Sequence, residues 1–443
     1  MKRTLLLIVS ALAVPHLAFA QTPTIPLTLS EALEKGLANS RRLAEIAARV
    51  DAAGFAVDRQ RAAERPDVML TGGYMRTNHV QEFVIAVPGA PPKVVYPDIP
   101  DNYRSRLDLQ WPIYTAGRID ALERAARAEK DAVGEDLHAA RNDLRLEITR
   151  AFWALVTARE TEAVLARSLD AVNSQVKDLR SRLTSGLIPP SDVSSAEAQA
   201  SRQQVLAIEA ANARSIAEAD LRRLTGIETP GRIDPQVPVS APTPAPDART
   251  SAQVAELIAA ALKTRPERRA FEARVRSAED RVAAVRASAR PQLAVAAGYD
   301  YARPNPRIFP RIGEWRTSWD LSINASWSLW DGGRRAAEQG EALATSRALQ
   351  ARVEDFDRQV TFEVRQRTLQ LESSRAAIAA TEDEVRAAVE AERVVGERYR
   401  VGVATPTDVL EAQVARLQAE LDRTRAVANV RLAEAQLQRA LGK

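Results

Sequence analysis

Residues 315–334 read WRTSWDLSINASWSLWDGGR, and this stretch joins a strand pattern to the start of a long helix. From Trp315 to Leu329 the odd-numbered positions are aromatic, aliphatic or threonine, and the even-numbered positions are charged or polar. Strict alternation of this kind predicts a β-strand with one apolar face and one polar face. The glycines that follow precede a helix that we expect over about Gly333 to Arg400.

The same junction occurs 216 residues earlier, where residues 111–118 read WPIYTAGR and correspond to residues 327–334, WSLWDGGR. Further matches at this offset are Gly186 with Gly402, Pro190 with Pro406 and Asp192 with Asp408. Upstream, Tyr74 matches Tyr299 at an offset of 225, so the first copy has a longer loop before Trp111. Chance similarity between alanine-rich segments does not produce ungapped matches of Gly, Pro and Trp. We therefore predict an internal duplication, with a first repeat at 21–226, a Pro-rich connector at 227–250 and a second repeat at 251–443.

Each copy predicts the order helix, strand, loop, strand, long helix, helix. The predicted helices are about Ser30 to Glu64, Gly117 to Thr184 and Ser191 to Leu224 in the first copy, and Ser251 to Ala289, Gly333 to Arg400 and Thr407 to Leu441 in the second. Ser30 is the expected N-cap of the first helix. Each long helix of about seventy residues would extend about 100 Å. Leu165, Leu169, Val172 and Val176 follow heptad spacing, which an ordinary soluble coiled coil would also show.

The predicted strands favour a membrane protein over a soluble coiled coil. They lie at about Asp67 to Arg76, Tyr103 to Ile113, Pro291 to Tyr301 and Trp315 to Leu329. An apolar face with aromatic ends beside a polar face is typical of a transmembrane barrel, although a soluble sandwich also has one wet face. Four strands between such long helices do not suit a sandwich, and they cannot close a water-filled barrel alone. Several chains must therefore share one barrel.

Composition excludes several other classes of protein. Residues 1–20 have the layout of a secretory signal peptide, with Lys2 and Arg3 before an apolar run and Ala18 to Ala20 at the cleavage site. The chain has no cysteine, three histidines and a formal charge of +4, which does not predict a metal site, a cofactor site or nucleic-acid binding. Without a nucleophile or phosphate-binding motif, we expect no catalytic residues and no enzymatic activity.

The most specific motifs lie where each long helix turns into the last helix of its copy. These turns read SGLIPPSD at 185–192 and YRVGVATPTDVLE at 399–411. With the duplicated Trp…Gly-Arg junctions, they resemble the TolC-like outer-membrane efflux proteins over nearly the whole mature chain. The resemblance implies a mainly α protein with a small β part: a trimer in which four strands per chain form a twelve-stranded transmembrane β-barrel. A long coiled-coil α-helical barrel would continue into the periplasm, with the connector in an equatorial belt.

The resemblance also assigns roles to residues at the two tips. The expected adaptor-docking residues are Arg182, Leu183, Ser185, Gly186, Leu187, Val401, Gly402 and Val403. The expected periplasmic gate consists of Asp408 and Glu411 as ring carboxylates and of Tyr399 and Asp192 as a hydrogen-bonded latch. Ala404 departs from the best-known member of the family, which has an arginine in the latch. The alternative for the glycines is a simple helical turn, and the alternative for the two aspartates is helix capping.

The function implied is that of a passive exit duct in the Gram-negative outer membrane, for small molecules such as drugs or metals or for proteins. Its expected partners are two further copies of the chain, a periplasmic adaptor, outer-membrane lipid and, indirectly, an inner-membrane transporter. The competing class is a periplasmic coiled-coil adaptor or structural protein, which would lack the alternating, aromatic-bounded strands.

Overall fold

The computed structural model describes residues 24–86, 88–89, 91–237 and 250–443, so the predicted signal peptide lies outside the described residues. The helices in these ranges are α1 (Leu29–Asn39), α2 (Arg41–Ala62), α3 (Arg118–Thr184), α4 (Pro190–Thr225), α5 (Ser251–Thr264), α6 (Pro266–Ala287), α7 (Arg334–Arg400) and α8 (Pro406–Ala440). The strands are β1 (Thr24–Thr28), β2 (Asp67–Arg76), β3 (Phe83–Ile85), β4 (Lys93–Tyr96), β5 (Asp101–Tyr114), β6 (Arg232–Gln236), β7 (Gln292–Arg303) and β8 (Arg316–Ser326).

The two long helices are the dominant elements, and their predicted ends are confirmed to within one residue. α3 and α7 each contain 67 residues, which corresponds to about 100 Å of helix. Gly117 and Gly333 precede them with φ of 81° and 90°, values that glycine adopts without strain. α4 and α8 both begin with a proline, whose fixed φ suits the first turn of a helix.

The four predicted strands form one antiparallel sheet in the order β2–β5–β7–β8. Two indoles fix its ends to the helices that precede it. Trp111 Nε1 donates to the carbonyl oxygen of Glu64 at 3.0 Å, and Trp327 Nε1 donates to that of Ala289 at 3.1 Å. These indole bonds satisfy carbonyls just beyond α2 and α6, where the helical hydrogen-bond pattern ends.

The first helix of each copy is divided in two, which differs from the prediction. Ser40 separates α1 from α2 and caps α2 by accepting from the Leu43 amide at 3.3 Å. Arg265 adopts extended backbone before Pro266, which opens α6, because the residue before proline is disfavoured in the α region. The N-cap prediction at Ser30 is also wrong, since Thr28 forms a capping box with Glu31: its Oγ1 accepts from the Glu31 amide at 3.2 Å, and its own amide donates to Glu31 Oε2 at 2.8 Å.

The junction between the two helix halves in each copy packs against the glycine that follows the last helix of that copy. Asn39 Nδ2 donates to the Thr225 carbonyl at 3.0 Å, and a Cβ on Gly226 would lie 3.1 Å from the Asn39 side chain. In the second copy Thr264 Oγ1 donates to the Leu441 carbonyl at 2.6 Å. A Cβ on Gly442 would lie 3.1 Å from the Arg265 backbone. Both breaks are therefore packed features and not interruptions of a continuous helix.

The described part of the connector contains a strand that the sequence did not predict. β6 pairs in parallel with β1 over five residues, from Thr24 with Arg232 to Thr28 with Gln236. Its Pro235 is compatible with this position because a two-stranded sheet leaves one edge of each strand unpaired. Residues 238–249 lie outside the described residues.

The chain divides into two compact units. The strand unit contains the four-stranded sheet, the β3–β4 hairpin, α2, α5, α6, the first part of α3 to Leu146, the first part of α7 to Arg375 and residues 433–443. The tip unit contains β1, α1, β6, α4, the remainder of α3 and α7, and α8 to Leu432.

Each unit packs its own part of α3 against a shorter helix. In the strand unit Arg61 Nε on α2 donates to Glu123 Oε1 on α3 at 3.1 Å. In the tip unit the residues with predicted heptad spacing are buried. Leu165, Val172 and Val176 on α3 belong to hydrophobic clusters that include residues of α4 and α8. Within the described residues no helix is both long enough and apolar enough to cross a bilayer.

Candidate functional site at the helix tips

The two predicted tips are turns of the same hydrogen-bond pattern. At the end of α3 the Gly186 amide donates to the Leu183 carbonyl and the Leu187 amide to the Arg182 carbonyl, both at 2.9 Å. At the end of α7 the Gly402 amide donates to Tyr399 at 3.0 Å and the Val403 amide to Arg398 at 2.8 Å.

This is the Schellman motif, whose central residue must be left-handed. Gly186 and Gly402 have φ of 72° and 78°. The sequence prediction that glycine is needed here for a positive φ is confirmed, which supports the turn interpretation and leaves a docking role untested.

The tips present apolar side chains to the surface. Leu187, Val401 and Val403 are 73%, 74% and 65% exposed. Leu183 lies inward and packs against the cluster that contains Leu179 and Val193. The predicted docking set therefore divides into an exposed part at the turns and a structural part that anchors them.

Arg182 brings the predicted docking tip to the predicted gate. Its Nε donates to Asp178 Oδ2 at 2.8 Å, one turn earlier on α3. Its guanidinium carbon lies 5.1 Å from the centre of the Tyr399 ring on α7, within the range of a cation–π contact. The sequence placed these two residues in separate sites, and the fold joins them.

The predicted hydrogen bond between Tyr399 and Asp192 is not formed in this structure. The Tyr399 hydroxyl is buried and has no hydrogen-bond partner among the described residues. Asp192 lies in the first turn of α4 and accepts from Ser191 Oγ at 3.4 Å. The ring of Tyr399 is held by Arg182 instead, and the gating role of the pair stays a prediction.

Asp408 takes part in the cap of α8, as the alternative interpretation of the sequence proposed, because it forms a capping box with Thr405. The Thr405 amide donates to Asp408 Oδ2 at 2.7 Å, and Thr405 Oγ1 accepts from the Asp408 amide at 3.2 Å. The bond from the Thr405 amide, followed by that from its hydroxyl, lowers the pKa of Asp408 below its ordinary value. The carboxylate is exposed at the tip and is ionised at neutral pH.

Glu411 lies three residues further along the same face of α8. It lines a groove of about 620 Å³ between α4 and α8, together with Gln199, Arg202 and Val414. Both carboxylates are exposed, although Asp408 Oδ2 accepts the capping bond. Their arrangement in a ring stays a prediction.

A second polar cluster, which the sequence analysis only half identified, lies on the sheet. Arg106 on β5 donates to Asp108 Oδ1 at 2.6 Å, to Asp300 Oδ2, and to Asp320 at 3.1 and 3.2 Å. The alternation of β8 placed Asp320 on its polar face, and in the sequence of β5 Arg106 and Asp108 alternate with leucines. Asp300 was missed because the alternation of β7 is weak. A glycine inside a strand, Gly298, was the available signal of close approach.

Neither site has the composition of a metal or cofactor site. In the ranges that the structure describes, no group of three or more histidine, aspartate and glutamate side chains is placed to hold a metal ion. The chemistry available is that of exposed charges, apolar turns and packed aromatic rings.

Comparison with known proteins supports the resemblance to outer-membrane efflux proteins that the sequence predicted. CyaE from Bordetella pertussis is 26% identical over 324 residues, which are 72% of this chain and 64% of CyaE, so the chain spans slightly less than two thirds of that relative. The outer membrane protein TolC from Vibrio cholerae is 24% identical over 415 residues, covering 94% of this chain and 90% of TolC.

The fold matches a solved structure of the same kind. The outer membrane protein VceC from Vibrio cholerae superposes with a TM-score of 0.74 at 21% identity, over 94% of this chain and 96% of VceC. The outer membrane efflux protein family matches residues 32–227 and 257–443, which include both tips and all four strands of the sheet. The resemblance predicted from the sequence is thereby confirmed: this chain belongs to the outer membrane efflux protein family.

Proposed function

We propose that this protein is a passive exit duct of the outer membrane, which conducts substrates out of the cell and catalyses no reaction. The observation that carries the proposal is the four-stranded sheet. Trp319 and Ile323 on its apolar face are both 71% exposed. Its edge strands, β2 and β8, each pair on one side only among the described residues. In lipid the apolar face is stable, but every unpaired backbone group must find a partner.

Closure by further copies of the chain satisfies both edges. We propose three chains, so that twelve strands enclose a wet lumen lined by the polar faces, as the family resemblance implies. A barrel of four strands would leave no lumen, whereas about twelve strands leave an aqueous channel. The long helices would then continue this duct as an α-helical barrel.

We also propose that the two halves of the chain arose by duplication. The support is geometric: Gly186 and Gly402, 216 residues apart, form the same turn. Trp111 and Trp327, at the same offset, donate the same indole bond to the preceding helix end. A trimer would therefore present six similar helical hairpins at its periplasmic end.

These hairpin tips are the proposed docking surface for a periplasmic adaptor, which in turn would be fed by an inner-membrane transporter. Leu187, Val401 and Val403 supply exposed apolar contacts, and the tight glycine turns hold them in place. Either small molecules or proteins are compatible with this arrangement.

The proposed gate combines the Arg182–Tyr399 contact with the carboxylates of Asp408 and Glu411. Since Ala404 replaces the arginine that the best-known family member has in the latch, we propose that stacking of Arg182 on Tyr399 holds the entrance closed. Tyr399→Ala should then raise single-channel conductance, while Tyr399→Phe keeps the ring and should leave conductance unchanged. An equal effect of both changes would show that the hydroxyl, and not the stacked ring, closes the entrance.

A periplasmic adaptor or structural coiled coil is the alternative function. It explains the helices and the apolar tips. It does not explain the apolar face of the sheet, whose tryptophan and isoleucine side chains would be exposed to water in a soluble protein. Membership of the outer membrane efflux protein family also favours the duct.

The test begins with the full chain expressed in a Gram-negative cell. Inner and outer membranes are separated, the protein is extracted in detergent, and the protein mass of the particle is measured by light scattering. An outer-membrane particle of three chains that conducts ions in a planar bilayer supports the proposal. A soluble monomer or dimer would overturn it and favour the periplasmic adaptor.

A further inference from the structure

The guanidinium of Arg106 joins three strands on the polar face of the sheet. Arg106 on β5 faces Asp300 in the register of β5 with β7, and it bonds to that carboxylate directly. The side chain then continues across β7 to β8, where Nη1 and Nη2 donate to the two carboxylate oxygens of Asp320 at 3.1 and 3.2 Å. Paired bonds of this kind fix both position and orientation.

Gly298 makes this crossing possible. It lies between Asp108 on β5 and Asp320 on β8 in the register of the sheet. A Cβ at this position would lie 2.0 Å from Nη2 and 2.5 Å from Cζ of Arg106. Any side chain on Gly298 would therefore displace the guanidinium from the strand.

The cluster contains equal numbers of opposite charges. Asp300 also accepts from Arg104 Nε at 2.5 Å, and Asp320 also accepts from Arg307 at 3.3 Å. Asp108 has Arg106 as its partner, at 2.6 Å. Removal of Arg106 therefore leaves Asp108 without its cation and leaves one excess negative charge per chain.

We propose that Arg106, seated over Gly298, suppresses cation selectivity in the strand-lined part of the duct. The inference rests on the proposed function, because it requires the polar face of the sheet to line the lumen. With Arg106 in place, three arginines balance the three aspartates, so the cluster has no net charge that would favour cations. Without it, three chains would place three excess negative charges at one depth of the channel.

The expected effect follows from Coulomb interaction and screening. Three unit charges roughly 12 Å from the channel axis would raise the ratio of cation to anion permeability roughly threefold in 0.1 M salt. The rise would be roughly tenfold in 0.01 M salt, because the Debye length grows to about 30 Å.

The test compares reversal potentials of purified channels under a potassium chloride gradient. Arg106→Gln should raise cation selectivity by these factors, and Arg106→Lys should keep the wild-type ratio because it keeps the charge. All recordings are repeated in a background that carries both Asp408→Ala and Glu411→Ala, so that the carboxylates of the tips do not mask the change in selectivity. Wild-type selectivity in an assembled Arg106→Gln channel would overturn the inference.

A second variant covers the case in which Arg106→Gln does not assemble. Asp108→Asn removes a half-exposed carboxylate and leaves Arg106 with its two other partners. Selectivity should then move towards anions by a similar factor, and an unchanged ratio would count against the inference. If the wild-type protein itself does not conduct, the proposed function fails and not the assignment of Arg106.

Discussion

Replacing Gly298 with alanine tests how the polar face of the sheet is assembled. The new Cβ would overlap the guanidinium of Arg106, which lies 2.0 Å away at its nearest atom. Because the overlapping atoms end a flexible side chain, Arg106 can swing away without moving the backbone. The change then removes its contact with Asp300, whose side chain is only 2% exposed.

The magnitude follows from that lost contact. A hydrogen bond to a charged group contributes about 1.5–3 kcal/mol, and Arg104 still pairs with Asp300 after the change. Replacing glycine with alanine in extended backbone stabilises the folded state by about 0.4–1 kcal/mol, because alanine lowers the conformational entropy of the unfolded chain. We therefore expect a net loss of about 1–2 kcal/mol per chain in the free energy of unfolding.

The assay is urea unfolding of the purified protein in lipid vesicles, followed by tryptophan fluorescence. Gly73→Ala is the matched control, because Gly73 pairs with Arg104 in the same sheet and a Cβ there meets nothing within 4 Å. The control should be neutral or slightly stabilising. In an Arg106→Ala background, Gly298→Ala should also cost nothing, since no guanidinium remains to be displaced. A similar loss in both backgrounds would refute the reasoning.

Three further predictions concern the tips. Gly402→Val, like Gly186→Val, places a β-branched residue at positive φ and should abolish efflux while the proposed trimer still assembles. Growth on a toxic substrate measures efflux, and the mass of the particle measures assembly. Asp408→Ala with Glu411→Ala should lower the preference for cations in single-channel recordings, and unchanged selectivity would remove both residues from the proposed ring. Because the pKa of Asp408 is lowered in the fold, its cap stabilises α8 above the unfolded pKa and is lost as pH falls through the folded pKa. The protection of the Thr405 amide, measured as its exchange rate relative to the intrinsic rate at each pH, should therefore fall over that acidic range, and Asp408→Asn should abolish the dependence.

The long helices and the sheet were predictable because their signals are local. The ends of α3 and α7 follow from glycines that need positive φ and from prolines that open the next helix. The strand β8 follows from strict alternation between Trp315 and Leu329, although it ends at Ser326, three residues early. In each case neighbouring residues determine the conformation.

The features that were missed depend on distant partners. β1 and β6 are more than two hundred residues apart in the chain, and neither has an alternation that predicts a parallel pair. The contact of Arg182 with Tyr399 joins two helices whose tips look independent in the sequence. The break before Pro266 did have a local signal, because the residue before a proline is disfavoured in the α region.

The pairing of one long helix with two short ones restricts how this protein can change in length. α2 lies beside the first part of α3 in the strand unit, and α4 lies beside the second part in the tip unit. An insertion in α3 alone would shift every later α3 residue that packs against α2 or α4 out of register with its partner on that helix. A tolerated insertion should therefore add seven residues, or two helical turns, to α3 and to α2 or α4 together. Periplasms of different depth would then select family members whose helices differ by whole heptads in matched pairs.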